Sequence, residues 1–218
     1  GQWWWELKQM KSLRIERPRL VELQFVTGLD IGPIVLRNSP YWTLHPIYCR
    51  DVHIHDIQIT ADDGKGGWGY NTDGIDPDSC KDVLIENYVY NAGDDAIAVK
   101  SGWNYAGYTF NMSSENILAR NCSSNGRGGY TIGSEMSGGV RNITFEDSTS
   151  TGVAGIRISS QPGRGGYVKD VHFRRLDFRW KDSAAGSIGT APAKSTGCNV
   201  NPHAPFLFHI NQAYRSDN

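Results

Sequence analysis

Two stretches decide the fold: DVHIHDIQIT at residues 51–60 and DVLIENYVYN at residues 82–91. Each opens on an aspartate and then alternates apolar with polar side chains, the pattern of a strand with one buried face. The leading acid suits a turn, because its side chain bonds nearby backbone amides. Related units lie outward on both sides: DIGPIVLRNS from 30, NILARNCSS from 116, NITFEDSTS from 142 and DVHFRRLDF from 170. Successive starts are 21, 31, 34, 26 and 28 residues apart. A second strand series sits at a nearly fixed offset inside the units: Ile97 follows Val83 by 14, Ile132 follows Ile117 by 15, and Ile156 follows Ile143 by 13. Glycine-rich turns separate the two series, and no long segment has a 3.6-residue period.

A period of this length, several short strands in each period and no crossover helices predict an all-β, right-handed parallel β-helix, in which each coil stacks its strands on the next. A β-sandwich is the main rival, since it also has many short strands. It does not explain a constant offset within an uneven period.

Stacking gives meaning to NTDGIDPDSCKDVLIENYVYNAGDDAIAVKSG at 71–102, where Asp73 stands 21 residues before Asp94 and Asp95. Neighbouring strands lie about 4.8 Å apart, so a chain that travels one short coil returns to the same patch. Three carboxylates packed together cannot all ionise cheaply. One stays protonated while another remains a base, the division of labour that glycoside hydrolysis needs. Adjacent residues in an ideal strand face opposite ways, so Asp94 and Asp95 share a site only where the chain bends, and Gly93 offers that bend. Taken alone, the Asp94–Asp95 pair reads equally as a solvated turn or a calcium site. The next coils place Arg127 and Arg157 in the same column, and a guanidinium beside acids suits an acidic sugar. Asp76 and Asp78 read as turn acids, with Asp76 near enough to touch substrate. His45, between Trp42 and Pro46, reads as packing, as does the run Trp3-Trp4-Trp5, whose rival role is a sugar-stacking platform.

The rest of the chain sets limits. Its 218 residues suit one domain. The net charge of −1 argues against a nucleic-acid binder and means that an anionic ligand must be held by local cations. No apolar run approaches the ~20 residues of a membrane span. Cys49, Cys80, Cys122 and Cys198 are far apart without metal spacing, so they are buried thiols or contribute one or two disulfides. Sequons at Asn111, Asn121 and Asn142 lean toward a secreted glycoprotein. The chain begins without Met or a signal-peptide pattern, so we read it as a fragment or processed product.

NTDGID, GDDAIAVKSG, IGSEMSGG and GIRISSQPGRGGYV resemble, in order, the four signature blocks of the polygalacturonase-like glycoside hydrolases, family 28. NSPYWTLHPIYC at 38–49 is similar to the block upstream of these. The resemblance implies a right-handed parallel β-helix that hydrolyses pectin-type chains with inversion and without a required metal or other cofactor. Carried over residue by residue, it makes Asp94 the general acid and Asp73 and Asp95 the pair that activates water. Arg157 then binds the substrate carboxylate. Arg127 stands in the slot of the third block's usual histidine, and Ser159 in that of the fourth block's lysine. Lys100 offers a substitute cation, and Asn71 lies at the edge of the substrate site. The expectation is one β-helix catalytic domain over 1–218, a monomer lacking N-terminal coils and a C-terminal part, secreted to act on an acidic polysaccharide of the cell wall. The alternatives are a pectin-binding β-helix of low activity and a hydrolase for a decorated pectin such as rhamnogalacturonan. A calcium-dependent pectate lyase shares the fold class.

Overall fold

The structure is a computed structural model that describes residues 1–62, 64, 69–151 and 155–179, and the backbone of 206–210. Cys198 lies outside the described residues. Helix α1 (Gln2–Gln9) is followed by β1 (Val21–Gln24), β2 (Thr27–Ile31), β3 (Ile34–Arg37), β4 (Leu44–Ile47), β5 (Arg50–Thr60), β6 (Lys81–Asn91) and β7 (Ile97–Val99). Helix α2 (Asn104–Phe110) leads into β8 (Ser114–Ser124), β9 (Tyr130–Ile132), β10 (Val140–Ser150), β11 (Ile156–Ser160), β12 (Val168–Phe178) and β13 (Phe206–Ile210). One sheet stacks β2, β5, β6, β8, β10 and β12 in that order, with β3 also beside β5. A second stacks β7, β9, β11 and β13, and every pairing in both is parallel. Bridges from Leu44 to Ile75 and from Ile75 to Ile97 join β4 to the second sheet. This is the expected parallel β-helix, with one core running through the coils.

The repeat owes its regularity to residues that break the strand. Val83, Ile85, Tyr88 and Tyr90 of β6 are all buried. Strict alternation would put the second pair outside. Between them Asn87 adopts a left-handed backbone with φ +54°, which shifts the phase by one residue and returns Tyr88 to the core. Asp56, Asn121 and Asp147 do the same in β5, β8 and β10, and Arg175 is left-handed at this place in β12. The leading Asp or Asn of each unit is a second left-handed column: Asp51, Asp82, Asn116, Asn142 and Asp170. Asn and Asp tolerate this conformation because their short polar side chains bond locally. Here they bond up the stack. Asn116 donates to Asp82 at 2.7 Å and Asn142 to Asn116 at 2.8 Å, while Asn121 donates to Asn87 at 2.7 Å.

Two of the three sequons thus fall on ladder asparagines, whose amides are engaged, while Asn111 is exposed at the C-terminal cap of α2. Asn116→Ala combines left-handed strain with two lost ladder bonds, and is expected to lower unfolding free energy by about 1–3 kcal/mol. Asn116→Gly keeps the backbone relaxed and is expected to lose less, a difference that urea denaturation resolves.

Two expected registers shift. Gly28, with φ +72°, stands beside Asp51, while Asp30 pairs with His53. In the second series Tyr130, not Ile132, joins the column of Ile97 and Ile156, and Ile132 pairs with Val99. At the first coil Trp5 is buried and its Nε1 donates to the Ser39 carbonyl at 2.9 Å, whereas Trp3 is exposed. Trp5, with Trp4 partly buried against the core, therefore packs as a cap, and Trp3 does not. Cys49, Cys80 and Cys122 are buried free thiols.

Candidate active site

The turn after β6 carries two of the three acids. The Tyr90 hydroxyl accepts the Asp94 amide at 2.9 Å and bonds the Asp94 carbonyl at 2.8 Å and the Thr72 carbonyl at 3.0 Å. Thr72 Oγ1 takes the Gly93 amide at 2.8 Å. These bonds fix the bend at Gly93, so Asp94 and Asp95 leave the strand pattern together. One coil earlier, the Gly74 amide donates to the Asp95 carbonyl, which sets Asp73 level with Asp95. Asp73, Asp94 and Asp95 each bring a carboxylate oxygen within 4.8 Å of the others.

The three environments differ. Asp73 is buried, and among the described residues its Oδ1 accepts no hydrogen bond. Burial first, then Asp94 and Asp76, hold its carboxyl well above the usual range, against Lys100. Asp94 is 28% exposed, the most open of the three. Burial and Asp95 raise it, while Arg157, Arg127 and Lys100 pull the other way. Asp95 is buried and accepts Arg157 Nη2, whose guanidinium lies 4.0 Å from Asp94 Oδ1. Asp73 and Asp94, both raised, therefore keep a proton between them beside the ion-paired Asp95.

Not every expected substrate contact is free to serve as one. Lys100 is buried, not presented to a ligand: its Nζ lies 2.9 Å from Glu135, 3.7 Å from Asp76 and 3.8 Å from Asp73. It also sits 4.3 Å from the Trp42 ring centroid. Burial works against the ammonium, and the three acids outweigh it and hold the amine well above its usual range. Asn71 is likewise taken: its amide donates to Asp94 Oδ2 at 3.2 Å and its oxygen accepts Arg17 Nη2 at 2.6 Å. Ser159 is buried and carries no charge. Arg127 is exposed, its amide bonded to the Ala92 carbonyl beside the Asp94 turn. Arg157 is 30% exposed and already paired with Asp95.

Behind the acids lies a charged layer that residue reading did not find. Glu135 joins Lys100 to Arg164 at 3.3 Å. Burial alone would raise the Glu135 carboxyl, but Lys100, Arg164 and Ser134 bring it down to about 2. Burial lifts Asp76 to about 7, with Lys100 and His45 opposing. His45 is buried between Glu22 at 3.0 Å and Asp78 at 3.3 Å. It is part of this support, as its packing neighbours suggest. Glu135 lies inside IGSEMSGG, and that position was its only signal. Arg17 enters from before the first complete coil, and nothing in its surroundings marks it.

A shared patch of three acids flanked by arginines, on stacked parallel coils, invites comparison with known proteins. The profile of Glycosyl hydrolases family 28 matches residues 1–189. The chain belongs to glycosyl hydrolases family 28. It is 37% identical over 196 residues to a probable polygalacturonase of Vitis vinifera, covering 87% of this chain and 39% of that protein. It is 29% identical over 212 residues to an endo-polygalacturonase of Pectobacterium carotovorum subsp. carotovorum, covering 90% of this chain and 47% of the relative. Among solved structures, a hyperthermoactive exopolygalacturonase from Thermotoga maritima superposes with a TM-score of 0.64 at 30% identity, over 74% of this chain and 39% of that one. A polygalacturonase from Erwinia carotovora ssp. carotovora gives 0.65 at 25% identity, over 82% and 49%. This family 28 chain thus spans less than half the length of these relatives. Among its described residues, no helix is long and apolar enough to cross a membrane.

Proposed function

We propose that this family 28 chain is the catalytic part of a secreted hydrolase that cleaves glycosidic bonds of a galacturonan or related pectin. The observation that carries the reading is the convergence of Asp73, Asp94 and Asp95 with Arg157 against them. Burial and neighbouring acids raise both Asp73 and Asp94, and Asp94, the more exposed of the two, holds the proton for the leaving oxygen. Asp73 and Asp95 hold the attacking water. Arg157 spans Asp94 and Asp95 and keeps one edge for a sugar carboxylate. The names of the relatives support the substrate class, and an acidic polymer outside the cell agrees with the exposed sequon at Asn111.

The test is incubation with polygalacturonic acid, following reducing ends and ultraviolet absorbance together. Hydrolysis gives new reducing ends without absorbance. An absorbing unsaturated product means a lyase, and tight binding of oligogalacturonides without product means a binding module. Release from rhamnogalacturonan alone would move the reading to a decorated pectin.

The electrostatics give a direction for pH. Asp94 must be protonated to act, so activity falls as pH rises through its carboxyl range, which lies above that of an ordinary aspartate. Arg127 lowers that carboxyl. Arg127→Gln is therefore expected to move the alkaline limb of the kcat/KM profile to higher pH. An unmoved limb would remove Arg127 from the field at Asp94.

A further inference from the structure

On the outer face of the larger sheet, away from the acids, a second cluster joins two histidines and an aspartate. His53 and His55 stand two apart on β5 and so point to the same side. Their rings stack with centroids 4.5 Å apart and planes inclined by 27°. Asp30 of the neighbouring β2 pairs in register with His53. Asp30 Oδ2 lies 3.2 Å from His53 Nδ1, and Oδ1 lies 3.2 Å from His55 Nε2. The far nitrogens are held as well: His53 Nε2 is 2.9 Å from Glu86 Oε1, and His55 Nδ1 is 2.8 Å from Asp56 Oδ2. Glu86 is fixed in turn by Arg120 at 2.7 Å, and Asp56 by Asn87 at 3.1 Å.

Each imidazole therefore faces carboxylate oxygens from both nitrogens. A carboxylate only accepts. A neutral ring with its one proton turned to Glu86 or Asp56 points a lone pair at Asp30. Two lone pairs and a carboxylate then converge on one point, which a cation satisfies.

We propose that Asp30, His53 and His55 form a binding site for a divalent first-row transition-metal ion of the zinc class. Imidazole nitrogen with a single carboxylate is the donor set such ions take. One donor atom from each of Asp30, His53 and His55 lies within 4.8 Å of the other two, and Asp30 reaches each imidazole at 3.2 Å through a different oxygen, so a small rotation of its carboxylate brings the three to the roughly 3.3 Å spacing of donors around a tetrahedral metal. Glu86 and Asp56 fill the outer positions in which a carboxylate orients a metal-bound histidine. Water completes the coordination, since Asp30 is open to solvent. The ion ties β2 to β5 and serves no step at the acids.

The experiment uses the full chain at pH 7.5, metal-free, with zinc chloride as the probe and isothermal titration as the readout. Circular dichroism confirms that each variant is folded. The wild type is expected to take up one more zinc ion per chain than His53→Gln/His55→Gln. Any binding at the carboxylates of the other site is common to both. Asp30→Asn is expected to weaken the site tenfold or more, and Glu86→Gln by about 10–100-fold through the lost outer partner. Zinc should raise the unfolding midpoint of the wild type and leave that of the double variant in place. A second measurement needs no variant: zinc should protect His53 and His55 from diethylpyrocarbonate in the wild type. Equal uptake by wild type and double variant, or unprotected histidines at saturating zinc, overturns the proposal.

Discussion

Asp94→Asn is expected to lower kcat on polygalacturonic acid by about 10²–10⁴-fold, the range for loss of a general acid, with KM little changed. The exchange keeps size and most hydrogen bonding. The Asp94 amide and carbonyl are held by Tyr90, and neither bond involves the side chain. The fold and the Arg157–Asp95 pair should therefore survive, so the loss reports the missing proton donor. Steady-state kinetics with binding of an oligogalacturonide separates the two effects. Undiminished kcat would take the acid's role away from Asp94.

The second large effect concerns stability. Lys100→Met removes the buried cation that Glu135, Asp76 and Asp73 share. Breaking a buried pair from one side leaves uncompensated charge, for which about 3–5 kcal/mol is the general experience. The deficit should depend on pH, and the sign follows from each acid. Asp76 already titrates near 7 in the folded protein, above its usual range. It binds more protons folded than unfolded, so stability falls as pH rises toward that value. Without Lys100 its carboxyl moves further up and the fall extends to higher pH. Glu135 is the opposite case: held at about 2, it contributes stability above its usual value and loses it as pH drops. Lys100→Met forfeits that contribution as well. The deficit is therefore expected to be larger at pH 8 than at pH 5, where protonation relieves the stranded acids. Urea denaturation at the two pH values measures it. A deficit that is small and flat with pH would show that the layer is not held by Lys100.

The sequence and the structure agree where side chains repeat and part where they do not. The 11-residue strands β5, β6, β8, β10 and β12 each carry a turn Asp or Asn and apolar positions that are buried, or partly buried in β12, and these announce the solenoid. Asp73 and the Asp94–Asp95 pair can be brought together from chain spacing, because a 21-residue step is one short coil of the stack. The short strands were harder. β7 and β9 are three residues long and buried throughout, so they show no alternation, and the register slipped from Tyr130 to Ile132. Lys100 reads from sequence as a free cation because a lone lysine says nothing about burial. Its partners Asp76 and Glu135 come from the coils on either side, and their carboxylates close around it only after stacking. Ser159 and Asn71 rest on block position, which locates a residue in the site without saying whether its polar atoms are free.

The most direct test of the carboxylate centre is a proton NMR time course of the full chain acting on polygalacturonic acid. An acid at Asp94 with water held by Asp73 and Asp95 predicts a new reducing end whose first-formed anomer is opposite to that of the cleaved linkage, before mutarotation mixes the two. The closest oxygens of the three acids lie within 4.8 Å, nearer than the ~6.5–9.5 Å usual between inverting carboxylates, so the stereochemistry is a sharp question here. A first product that retains the configuration would place a covalent bond on one of the aspartates, and an unsaturated end would remove water from the reaction. Either result would contradict this assignment of the three acids.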